Sequence, residues 1–202
     1  MVNYSWYLVG ERLSIPYEAP QGRRVNAIGA YFSHGPLSGR FEFETYATVP
    51  KSRAKKARRT LSEQAAAHGL SVEEIGPIAS ERVVQFLWKI AGRPRVHPEE
   101  WRRERPLFLW LDNYSVHKSE RLRQEEAALN RAGIYLCYLP SYSPELSKIE
   151  AVWQDVKHHE MTRRSYEELH ALKRAVEEAL AKKAADLLAA HQETARSLCR
   201  AA

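Results

Sequence analysis

Two short apolar runs, "PLFLWL" at residues 106–111 and "IYLCYL" at 134–139, flank the stretch "SERLRQEEAALNRAG" and leave this chain few ways to fold. A run apolar at successive positions is what a strand buried on both faces of a sheet requires. The intervening stretch has helical spacing, with Ser119 placed to cap its start and Gly133 to stop it. A strand–helix–strand unit of this length predicts two parallel neighbours joined by a right-handed crossover.

Upstream, "RRVNAIGAYF" and "GRFEFETYATV" read as strands joined by the turn-rich "SHGPLS", which predicts a hairpin. In the second strand Phe41, Phe43 and Thr45 alternate with Arg40, Glu42 and Glu44, so one face is dry and the other wet. "LSEQAAAHGL" reads as a short helix closed by Gly69. "SERVVQFLWKIAG" predicts a firmer helix, with Val83, Val84, Leu87 and Ile90 on one face, Ser80 as cap and Gly92 as stop. From Ser147 onward Ile149, Val152, Trp153 and Val156 recur at helical spacing. Ser165 and Glu168 have the form of a capping box that opens a long Ala/Lys/Glu-rich helix. The order of elements predicts an α/β domain with a mixed sheet flanked by helices.

At 202 residues, 44% hydrophobic and 28% charged, the chain suits one well-cored domain and excludes wholesale disorder. No apolar run approaches the ~20 residues of a membrane span. The start "MVNYSWYLVGERL" lacks the basic and apolar regions of a signal peptide. Of the two cysteines, Cys137 falls in an apolar strand and reads as a small core residue, far in sequence from Cys199. A reducing compartment, the cytoplasm, is the expectation, with no membrane partner.

The net charge of +6 is unevenly spread, because "KSRAKKARR" at residues 51–59 carries six cations in nine and no acid. Such a run is equally compatible with a solvated face and with a patch that tracks DNA phosphates through Lys51, Arg53, Lys55, Lys56, Arg58 and Arg59.

Two acids stand at positions where α/β sheets gather chemistry. Asp112 follows the first buried strand in "LDNYSVHKS", and Glu150 falls in the first turn of the helix after the second, in "YLPSYSPELSKIEAVW". Each has a plain structural reading. Asp112-Asn113 suits a turn, and Ser147…Glu150 has the S-x-x-E form of a capping box. Taken together, two carboxylates at adjacent strand ends suit a hard divalent cation, which prefers oxygen ligands and serves phosphoryl transfer.

The two segments "LDNYSVHKS" and "LPSYSPELSKIEAVWQDVK", with 37 intervening residues between the acids, resemble the catalytic core of mariner-like bacterial insertion-sequence transposases. "WYLVGERL" and "RRVNAIGAY" extend the resemblance over roughly residues 4–180. It implies a ribonuclease H-like fold, a DDE acid triad, Mg²⁺ or Mn²⁺ as cofactor, and DNA (element ends and target) as partner. It makes Asp112 the second catalytic acid and metal ligand, Glu150 the third, and Asn113 and His117 active-site neighbours. Lys157, seven residues after Glu150, is placed to meet a DNA phosphate or simply to face solvent; His158 and His159 read as surface residues.

The chain departs from the family pattern at two places. Ser147-Lys148 stands where Asn-Pro is common, which brings a cation beside the expected metal site. The first aspartate, which ends the family's central strand upstream of the segment around Trp6, has no counterpart, since Glu11 and Glu18 lie in the wrong segment and Glu42 and Glu44 point to the wet side of a strand. The expectation is therefore a truncated catalytic domain over residues 1–180, with a basic insertion at 49–78 and a helical tail at 181–202. Its central strand is missing, and it stands alone, as a homodimer, or with an upstream fragment. The competing expectations are a non-catalytic basic DNA-binding remnant and, more remotely, a carboxylate-pair glycosidase, which leaves the basic run unexplained.

Overall fold

The computed structural model describes residues 23–49, 60–94, 100–140, 143, 146–161 and 166–201. The segment around Trp6, Glu11 and Glu18, the whole basic run from Lys51 to Arg59, and Ser165 lie outside the described residues.

The predicted hairpin is present. Strands β1 (Arg24–Tyr31) and β2 (Phe41–Thr48) pair antiparallel, with Arg24 opposite Thr48 and Tyr31 opposite Phe41. Gly35 and Gly39 turn the connection with φ of 79° and 85°, a region that glycine enters without steric cost. Phe41, Thr45 and Ala47 are buried, whereas Glu42 pairs with Arg40 and Glu44 with Lys89, so β2 has the expected dry and wet faces. Helix α1 (Leu61–Ala66) opens with a reciprocal capping box between Thr60 and Glu63. Beyond it Ile75 bridges Ala47, which covers part of the outer edge of β2.

Helix α2 (Ser80–Ile90) buries Val83, Val84, Leu87 and Ile90 as its spacing demands, and Phe86 and Trp88 as well. Its cap is not Ser80. Ala79 holds the extended backbone of a cap residue (φ −84°, ψ 164°), so Ser80 is already helical and its hydroxyl sits one residue too late.

Strands β3 (Leu107–Leu111) and β4 (Ile134–Tyr138) pair in parallel, Leu107 opposite Ile134 and Leu111 opposite Tyr138. Between them runs α3 (Glu120–Arg131), whose first turn is capped by the Ser119 hydroxyl and whose end is turned by Gly133. Leu109, Ile134, Leu122 and Leu129 join α2 in the largest core.

The expectation of burial on both faces of β3 is met on one face only. Leu109 is buried, but its neighbours Phe108 and Trp110 are 58% and 66% exposed. Cys137, read from sequence as a core residue, is half-buried and lies opposite Trp110 in the register. The reason is where the last helices go. Helix α4 (Lys148–Asp155), a π-helical turn (Val156–Glu160) and α5 (Leu169–Ala201) place Val152, Val156, Ala179 and Leu180 against Phe41, so they cover the β1–β2 pair instead.

The described strands therefore form two two-stranded sheets, β1–β2 and β3–β4, rather than one. A cavity of about 1670 Å³ is lined by residues 26–32 on the β1 side and 106–112 on the β3 side. Among the described residues, no strand pairs with β1 beyond β2 or with β3 beyond β4. Small sheets flanked by helices in this order give the α/β class expected of a ribonuclease H-like fold.

Candidate active site

Asp112 is the first residue past β3. Its position is fixed by the end of the parallel ladder, where the Leu139 N–H donates to the Leu111 carbonyl at 2.9 Å. Asn113 ties the same loop to β4, its side-chain amide donating to the Leu139 carbonyl at 2.7 Å. Asp112 Oδ1 accepts from the Tyr114 N–H at 3.0 Å and meets His117 Nδ1 at 2.7 Å. The turn that Asp-Asn suggests is therefore made, but with one carboxylate oxygen. Oδ2 has no partner among the described residues, and the Asp112 side chain is 52% exposed.

His117 is returned to Asp112 by a 3₁₀ turn, Ser115–Lys118, closed by the bond from the His117 N–H to the Tyr114 carbonyl at 2.9 Å. Its own carbonyl accepts from the Tyr138 hydroxyl at 3.0 Å. Burial, and then the nearby Glu126, push the Tyr138 phenol up, which keeps it a donor across the neutral range. A carboxylate accepts only, so the Asp112 contact requires the proton on His117 Nδ1. Tyr138 was not visible as a site residue in the sequence. The only pointer to it is that the parallel register sets it opposite Leu111, next to Asp112.

Glu150 comes from the other half of the molecule. The S-x-x-E capping box does not form. Ser147 sits at φ −89° and ψ 91° and makes no side-chain cap bond, and the Glu150 N–H is satisfied by the Ser147 carbonyl at 3.0 Å. The Glu150 carboxylate is consequently uncommitted, with no hydrogen bond or ion pair among the described residues. One turn further, Trp153 holds α4 on the hairpin. Its ring meets Phe41 edge-on at 5.4 Å and lies directly over Gly29 of β1.

Asp112 is thus carried by β3 and Glu150 by a helix packed on β1, and both line the one cavity between the halves. His117 and Lys148 line it too. Lys157 is exposed on the π-helical turn and does not line it, and His158 and His159 are exposed as read from sequence. Among the described residues no group of three or more His, Cys, Asp or Glu side chains is clustered to hold a metal ion. Two carboxylates with free oxygens nonetheless suit Mg²⁺ or Mn²⁺ in kind, since such ions bind through one or two carboxylates and keep much of their water.

One acid ending a parallel strand and another opening the helix after the next strand stand where α/β sheets gather chemistry, and oxygen ligands of this kind suit a divalent cation in phosphoryl transfer. The family of DDE superfamily endonucleases matches residues 1–173, and the chain belongs to that family. A search of curated proteins gives no match. Members are transposase-type nucleases with DNA as substrate, and they are in general dependent on divalent metal. Among the described residues no helix is long and apolar enough to cross a membrane.

Proposed function

We propose that this chain is the catalytic region of a mariner-like insertion-element transposase, cleaving DNA phosphodiesters at the element ends and joining them to a target. The observation that supports it best is that Asp112 and Glu150, whose Oδ2 and carboxylate respectively have no partner among the described residues, line the same cavity, which is built from both halves of the fold. Asp112 Oδ2 and the Glu150 carboxylate are the groups to hold Mg²⁺ or Mn²⁺. An ion held there would supply Lewis-acid stabilisation of a phosphate under attack by water or a 3′-hydroxyl. The chain's own part is to orient. His117 and the Tyr114 N–H stop Asp112 from turning, Asn113 anchors its loop, and Trp153 fixes the helix that carries Glu150. Lys148, which lines the cavity and has no ion-pair partner among the described residues, is placed to neutralise a DNA phosphate, and the exposed Lys157 adds a second contact; the cations of the 51–59 run are assigned to further phosphates on their charge alone.

Since no described strand pairs with β1 beyond β2 or with β3 beyond β4, we add a further strand between them, bearing the third acid and supplied from an upstream segment or a companion polypeptide. On this reading residues 1–180 form the catalytic domain, with 49–78 as its basic insertion and 181–202 as its tail, working in the cytoplasm and, in an assembled complex, as a dimer.

The test is nicking of a supercoiled plasmid in Mn²⁺ by the chain completed with an upstream strand, fused or added in trans. Cleavage that disappears in chelator and in Glu150→Gln is the expected result. A completed, folded chain that binds DNA but never cuts it favours the second reading, a non-catalytic DNA-binding remnant. That alternative draws on the absence, among the described residues, of any group of three or more His, Cys, Asp or Glu side chains able to hold a metal ion.

A further inference from the structure

We propose that His117 is a positioning residue for Asp112, and that Tyr138 holds His117 in place for that task. The proposal rests on the reading of Asp112 as a metal ligand.

An aspartate beyond a strand end has two soft side-chain torsions, and either of its oxygens is equally available to a cation. Here that equivalence is broken. Oδ1 takes both the Tyr114 N–H at 3.0 Å and His117 Nδ1 at 2.7 Å, while Oδ2 takes nothing among the described residues. Two donors on one oxygen, from different directions, arrest rotation about the carboxylate axis and leave Oδ2 as the single outward ligand.

The imidazole is itself restrained, which is what separates this arrangement from a chance surface pair. Its side chain is only 18% exposed against 52% for Asp112. The Tyr114 ring stands edge-on to it at 6.3 Å. Its backbone is pinned at both polar groups, the N–H by Tyr114 and the C=O by the Tyr138 hydroxyl at 3.0 Å. Tyr138 belongs to β4 and is fixed by the ladder opposite Leu111. The chain of restraint therefore runs from β4 through Tyr138 and His117 to Asp112 and back into β3, a closed loop across the parallel pair. Groups that orient a ligand from behind in this way typically change metal affinity by about 10–100-fold when removed.

Mn²⁺ affinity, followed by water-proton relaxation on the full chain, tests this without reference to DNA cleavage. His117→Ala should weaken binding by about 10–100-fold. His117→Asn, whose Nδ2–H replaces the Nδ1–H, should recover most of it, and Tyr138→Phe should give a smaller loss. The melting temperature should move little for His117→Asn or Tyr138→Phe. In the metal-free protein the ¹⁵N spectrum should show His117 with its proton on Nδ1, and Tyr138→Phe should weaken that signature. Loss of Mn²⁺ binding in Asp112→Asn with undiminished binding in His117→Ala would overturn the positioning role alone. Unchanged binding in Asp112→Asn would overturn it together with the proposed function. Failure of His117→Asn to restore binding in a folded protein would equally refute it.

Discussion

Gly29→Ala is the substitution whose cost can be worked most directly from the packing. A Cβ built there lies 2.7 and 2.8 Å from Trp153 Cη2 and Cζ2 and 3.0 Å from Phe41 Cε2. Carbon atoms prefer about 3.5–4.0 Å, so the indole must retreat by roughly 1 Å. It cannot do so freely, because Phe41 blocks it edge-on at 5.4 Å and Ile149, Val152 and Val156 pack the rest of the segment. Overpacking of this kind costs about 1–3 kcal/mol. The entropy that alanine removes from the unfolded chain returns about 0.4–1 kcal/mol. The net loss is about 0–2.6 kcal/mol, centred on about 1.3, which lowers Tm by up to about 10 °C in a chain of this length. Trp153→Phe removes the two offending carbons, so the double variant should regain part of the loss. The assay is a double-mutant cycle by urea denaturation, with a coupling of about 0.5 kcal/mol or more expected for groups in contact. Additivity within about 0.3 kcal/mol would show that α4, and Glu150 with it, is not seated on Gly29.

Other outcomes follow from the same structure. The Ser71 N–H, and then the Lys173 ammonium, hold the Glu74 carboxyl down at about 2, below its ordinary 4.5. The depressed value means that stability is present above pH 4.5 and is lost as pH falls from there toward 2. With Glu74 41% exposed, solvent screening limits the effect to about 1 kcal/mol, read as a drop in urea midpoint that Glu74→Gln abolishes. Changing Lys55, Lys56, Arg58 and Arg59 to Ala should flatten the salt dependence of DNA binding, each lost phosphate contact reducing the slope by about 0.9; an unchanged slope makes the run a solvated face. An added strand that pairs with β1 and β3 should raise Tm and suppress self-association in sedimentation, because open edges cost stability and invite other chains. A completed chain that melts and associates as before would mean that the edges do not accept a strand.

Much of this arrangement is written locally in the sequence. Alternation fixes the faces of β2, and Val83, Val84, Leu87 and Ile90 declare the buried side of α2. Ser119 and Gly133 bracket α3 because cap and stop act within a turn of their own residue. The positions of Asp112 and Glu150 at element ends follow from the same local signals. What the sequence conceals is tertiary. "PLFLWL" tells that both faces of β3 are apolar, but not that α4 and α5 cover the other strand pair and leave Phe108 and Trp110 open. Ser147…Glu150 matches a capping box in residue type, yet the loop before α4 delivers Ser147 with a ψ of 91° at which the box does not form. The bond from Tyr138 to the His117 carbonyl depends on parallel register, a property of two strands that neither states alone.

The shared cation is the claim on which the rest depends, and anomalous diffraction from crystals grown in Mn²⁺ measures it directly. The account predicts one peak in the cavity between the two sheets, with Asp112 Oδ2 and a Glu150 oxygen each at about 2.1 Å. Carboxylates more than about 10 Å apart, or Mn²⁺ bound elsewhere while this cavity stays empty, would contradict it, since no ligand shell of that radius could bridge them.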